Sequence, residues 1–106
     1  AISFNVGSAV VAPSSEQMLN QIAKVLSLNT KSCIIVEGHT DSTGNYDRNL
    51  GLSRERAQSV ARYLSDRSGI DRNRLVPLGK GSSDPMKNLD ARDPKNRRVV
   101  FKVVNG

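Results

Sequence analysis

Two kinds of apolar periodicity alternate along this chain, and their order restricts its fold more than any single residue does. Ala1-Ile2-Ser3-Phe4-Asn5-Val6 is apolar at every second position, the pattern of a strand, and Gly7-Ser8 ends it. Pro13 suits the first turn of a helix, where Glu16 meets the positive end of the helix dipole. Leu19, Ile22, Ala23 and Leu26 form one helical stripe, and Asn29-Thr30 closes it. Cys33-Ile34-Ile35-Val36 is a short unbroken apolar run, as in a strand at the middle of a sheet, with Cys33 expected buried as a small hydrophobe. Ser53 reads as the N-cap of a second helix, with Glu55 in its first turn, a stripe of Ala57, Val60, Ala61 and Leu64, and Gly69 as its stop. Leu75-Val76-Pro77-Leu78 reads as a strand that Pro77 assigns to an edge or a strand end. A long loop from Gly79 to Asn96, with one helical turn near Leu89, precedes a last strand over Arg98–Val104. The order β-α-β-α-β-β predicts an α+β fold, a two-layer α/β sandwich with both helices on one face of the sheet.

A length of 106 residues suits one domain, residues 1–106. Aromatic residues are only 4% of the chain, so the core rests on Val, Leu, Ile and Ala. The net charge of +6 fits any polyanion, but Phe4, Tyr46, Tyr63 and Phe101 form no stacking platform, which argues against a nucleic-acid partner. A lone cysteine and a lone histidine supply neither a disulfide framework nor a metal-ligand set, and no cofactor motif is present. No stretch is long and apolar enough to span a bilayer, and the chain reads as a domain of something longer whose anchor lies outside it.

Ligands of open α/β sheets gather beyond the carboxyl ends of strands, near helix N-termini. Asp41 follows the second strand there, and Arg56 is expected in the first turn of the next helix. A cation in that turn is disfavoured by about 0.3–1 kcal/mol unless an anion is near. The anion is either Asp41 itself, in a private salt bridge, or a ligand carboxylate, which the planar guanidinium grips with two parallel hydrogen bonds. His39 beside Asp41 lacks both a nucleophile in a recognisable motif and further metal ligands, so catalysis is not expected and the chain is not read as an enzyme.

The run Glu37-Gly38-His39-Thr40-Asp41 is followed by Gly44, Asn49, Leu52-Ser53, Arg56-Ala57, Val60, Leu64, Gly69, Gly79, Gly81, Pro85 and Asn96-Arg97-Arg98-Val99. Together these resemble the OmpA-like peptidoglycan-binding domain, from about Phe4 to the last strand. The resemblance implies a mixed sheet whose last strand runs antiparallel within it. It also implies non-covalent binding of peptidoglycan through the meso-diaminopimelate of the stem peptide, in the periplasm, in a parent anchored to the outer or inner membrane. Porin-like proteins, peptidoglycan-associated lipoproteins and flagellar stator subunits are the parent types. A stator-type domain is thus an alternative within the class, a small wall-acting enzyme one outside it, and a homodimer stays open.

By position, the resemblance gives Asp41 the ammonium of diaminopimelate and Arg56 its carboxylate. Thr40, Asn49 and Leu52 line the pocket, and Arg97 approaches a peptide carboxylate from the long loop. Phe4 and Asn5 occupy the first-strand position where many members carry Phe-Asp. Asn5 keeps a hydrogen-bond acceptor there but brings no charge.

Overall fold

The computed structural model describes residues 2–105, so Ala1 of the expected first strand lies outside it. Strand β1 (Ile2–Ser3) is followed by helix α1 (Pro13–Leu28), β2 (Ser32–Gly38), α2 (Tyr46–Asp66), β3 (Leu75–Gly79) and β4 (Arg98–Asn105). Single 3-10 turns lie at Arg72–Arg74 and Pro94–Asn96. The sheet order is β1-β4-β2-β3, with β4 antiparallel to both neighbours and β2 parallel to β3. This is the expected α+β class with a mixed sheet.

Pro77 sits on an edge strand, where its missing N–H breaks no central ladder. Along β2, Ile34 and Val36 are fully buried, while Cys33 and Ile35 are half-buried on the opposite face. The expected burial of Cys33 is therefore corrected: side chains alternate, and Cys33 falls on the less covered side. The first strand is also shorter than its periodicity predicts. A turn takes over at Asn5, closed by Ser8 N–H donating to Asn5 O at 3.1 Å, with Gly7 at φ 66. In the long loop the 3-10 turn lies at Pro94–Asn96, while near Leu89 there is only a turn with Leu89 N–H on Met86 O at 3.4 Å.

Helix α2 departs most from expectation. It starts at Tyr46, capped by Asn45, whose side chain accepts Arg48 N–H at 3.0 Å. Ser53 is not a cap but a buried mid-helix residue, and Arg56 stands about three turns in, well outside the first turn. The dipole argument for a partner anion accordingly fails. The helix lies very close to the sheet, because Gly38 and Gly79 leave room for it. A Cβ on Gly38 would overlap Ser53 O, and one on Gly79 would stand 2.6 Å from Arg54 N. Past the C-terminus, Gly69 at φ 74 turns the chain so that Ile70 N–H reaches Leu64 O at 3.0 Å.

Candidate functional site

The backbone beyond β2 is stitched to the long loop and to β4. His39 N–H donates to Arg98 O at 2.8 Å, Thr40 N–H to Gly81 O at 2.9 Å and Ser42 N–H to Ala91 O at 2.9 Å. Ser53 Oγ accepts Gly81 N–H at 2.8 Å, tying α2 to the same loop. Asn49 donates to Thr43 O at 2.9 Å and to Asp41 O at 3.4 Å, closing the turn between Asp41 and the helix. These bonds fix Asp41 against the inner face of α2.

Asp41 is buried but well supplied with donors. Thr43 N–H, at 3.0 Å, and the Thr43 hydroxyl both donate to Oδ1. Arg97 Nη1 donates to Oδ2 at 3.1 Å, an ion pair, and Arg97 Nε donates to Phe4 O at 2.9 Å. Burial alone would raise the Asp41 pKa, but Thr43 and Arg97 together outweigh it and hold the carboxyl below its ordinary value. Asp41 is thus an anion at neutral pH.

Arg56 is 0% exposed. Nε donates to Ser8 O at 2.8 Å, Nη1 to His39 O at 3.1 Å and Nη2 to Asn5 O at 3.0 Å, and the guanidinium lies 5.2 Å from the centre of the Phe4 ring. Among the described residues no carboxylate pairs with it, and the ion partner of Asp41 is Arg97. Burial, reinforced by the charge of Arg97 and opposed by that of Asp41, pushes the Arg56 pKa down to about 10. It remains a cation at neutral pH, hydrogen-bonded to neutral carbonyls and in direct ion-pair contact with no carboxylate among the described residues.

Asp41, Arg56, Thr40, Asn49, Leu52 and Arg97 line one open cleft of about 610 Å³. Thr40 is 4% exposed, and its Oγ1 has no hydrogen-bond partner among the described residues. Phe4 and Asn5 do not line this cleft. They stand behind it, Phe4 under the guanidinium and Asn5 through its backbone carbonyl, and both border a neighbouring hollow that shares Arg97. The sequence reading missed Arg48, Asp47 and Glu55 on the α2 lip and Val6 and Gly7 on the opposite wall. Placing the cap at Asn45 was the available signal, since 48, 52 and 55 then recur on one helical face.

The OmpA family model matches residues 3–98. The chain belongs to the OmpA family. Over 100 residues this OmpA-family chain is 37% identical to the probable lipoprotein YiaD of Escherichia coli, covering 92% of the chain and 45% of that protein. It is 34% identical over 106 residues to the peptidoglycan-binding protein ArfA of Mycobacterium tuberculosis, covering 98% of the chain and 32% of ArfA. The chain therefore spans between a third and about half of these relatives. Among solved structures, the peptidoglycan-associated lipoprotein of Burkholderia pseudomallei superposes with a TM-score of 0.86 at 27% identity, covering 97% of this chain and 88% of that one.

Proposed function

We propose that this domain binds peptidoglycan without cutting it, by holding the zwitterionic end of meso-diaminopimelate in the cleft, and so anchors a membrane-bound parent to the wall from the periplasm. The observation that carries the reading is a buried cation, Arg56, in direct ion-pair contact with no carboxylate among the described residues, in the same cleft as a fixed anion, Asp41, and beside Thr40, whose buried hydroxyl is unpartnered among those residues. A buried charge held only by dipoles gains most from an arriving opposite charge, because screening by water is weak there. Diaminopimelate carries an ammonium and a carboxylate on one carbon. Asp41 takes the first, Arg56 the second, and Thr40, Asn49 and Leu52 shape the space around that carbon. Arg97 holds the Asp41 carboxylate in place and leaves it room for a further donor. The relatives named for peptidoglycan binding and peptidoglycan association support the choice of polymer.

The test is co-sedimentation with purified diaminopimelate-type sacculi. Asp41→Asn and Arg56→Lys each remove a charge-assisted contact, so binding weakens about 10- to 100-fold. Sacculi with lysine at the third stem position, which lack the second carboxylate, retain the domain poorly. Undiminished binding by both variants defeats the mechanism, and release of soluble muropeptides during incubation defeats the assignment as a binder.

A further inference from the structure

The role proposed for Arg56 conflicts with its closure. A group shut off from water is equally shut off from a carboxylate oxygen, which is no smaller, so part of the cleft wall must move before Arg56 can be gripped. Its contacts identify which part. Nη1 is held by His39 O, and the His39 backbone is itself bonded to β4. Nε and Nη2, the two donors on the outer side of the fork, are held by the carbonyls of Ser8 and Asn5. Both belong to the connection between β1 and α1, and the residues between them, Val6 and Gly7, line the cleft.

That connection is weakly fastened. Between Asn5 and Val11 its own bonds are the Asn5–Ser8 turn and Val10 N–H on Ser8 Oγ at 3.1 Å, and only at Ala12, whose carbonyl accepts Ser15 N–H at 2.9 Å, is it tied to α1. Val6 and Val10 are 75% and 74% exposed, so the segment contributes little to the core before Val11. Segments with few buried apolar contacts open at low free-energy cost.

We infer that residues 5–12 form an autoinhibitory strap, in which the Asn5 and Ser8 carbonyls occupy the Nε–Nη2 fork of Arg56 in place of a ligand carboxylate. Binding exchanges two neutral acceptors for one charged, bidentate acceptor, which adds the attraction of opposite charges in a poorly screened site, and this drives the strap off. The inference rests on the reading of the cleft given above. It also gives Asn5 a part that needs no side-chain charge, since only its main-chain oxygen is used. While the strap is closed, apparent affinity is reduced by the fraction of molecules that are open.

Gly7 offers the test, because it stands at φ 66 with no atom within 4 Å of an added Cβ. Alanine is strained in that backbone conformation without clashing. Titration calorimetry with free meso-diaminopimelate is expected to show Gly7→Ala binding on the order of fivefold tighter than the unaltered chain, from the usual strain of a left-handed alanine. Gly69→Ala, equally left-handed at φ 74 with nothing within 4 Å of an added Cβ but outside the cleft lining, should stay within about twofold. Independently of any variant, saturating ligand should speed amide exchange at Ser8 and Val10 in the unaltered chain while leaving β2 unchanged. Gly7→Ala binding no tighter, or Ser8 and Val10 gaining protection with ligand, overturns the strap although the cleft still binds. No binding of meso-diaminopimelate by the unaltered chain overturns the reading of the cleft itself, and the strap with it.

Discussion

Arg56, Arg74 and Arg97 each carry a guanidinium to main-chain carbonyls distant in sequence. Arg74 reaches Leu26 O at 2.9 Å and Asn29 O at the C-terminal end of α1, whose last turn has no basic residue of its own, and Ser32 O at the start of β2 at 3.0 Å. Arg74→Met keeps much of the aliphatic stem and removes the donors. It should cost about 1–3 kcal/mol in urea unfolding, with ligand binding unchanged, because the side chain is remote from the cleft. Thr40 presents the opposite case. Its hydroxyl is buried without a partner among the described residues, so Thr40→Val replaces an unsatisfied polar atom with a methyl group of similar shape. Stability should be unchanged or rise by up to about 1 kcal/mol while affinity for sacculi falls. A variant that loses stability and binding in parallel would make Thr40 a structural residue only.

At the level of elements, the approach of α2 to the sheet sets the geometry of the site, and the glycines beneath it set that approach. Gly38→Ala should destabilise by about 2–3 kcal/mol or more, since its Cβ meets backbone that cannot swing away. Gly51, within α2 and with nothing within 4 Å of an added Cβ, is the control: Gly51→Ala should stabilise by about 0.5–1 kcal/mol through helix propensity alone. Thermal melts of the two variants moving in the same direction would refute this account of the packing. The same helix shows where sequence patterns stop being readable. Helix α1 and strands β2 and β4 were legible because their inner positions are apolar at the expected spacing. The first half of α2 was not, because its inner positions Asn49, Ser53 and Arg56 are polar. Each is buried on a hydrogen bond to a loop or strand end, which no helical apolar stripe reveals. Asp41 and Arg56 could still be named in advance from the motif around them, but the Arg97–Asp41 pair could not. It joins residues 56 positions apart through a loop whose path depends on Asn96, whose side chain is bonded to Met86 N–H and to Asp90 O.

Across the whole molecule, a second charged network crosses the sheet below the cleft and makes stability depend on pH. Glu37 is 3% exposed on β2, paired with Lys102 of β4 at 3.1 Å and hydrogen-bonded to His39 Nε2 at 2.7 Å. Burial alone would raise its pKa, but Lys102 and His39 together hold the carboxyl below its ordinary value. Burial pushes the His39 pKa down, the Glu37 hydrogen bond opposes this, and the charge of Arg98 adds to the lowering. With Glu37 ionised, Nε2 of neutral His39 carries the proton and donates. Nδ1 is then a bare acceptor, and a proton placed there would find no partner among the described residues. In the unfolded chain His39 takes up its proton near 6.5, while the folded chain resists until a lower pH. The unfolded state therefore binds more protons once pH falls below that value, and stability declines until the folded pKa is passed. Glu37 and Asp41 act in a later window. Their contributions are complete above their ordinary values of 4.5 and 3.8 and are lost as pH falls through their lowered folded values. Urea midpoints measured from about pH 8 to pH 3 should thus fall in two stages. His39→Gln should remove the first stage and keep the second, whereas a midpoint that is flat between about pH 7 and pH 5 in the unaltered chain would contradict the placement of His39 as a buried neutral base.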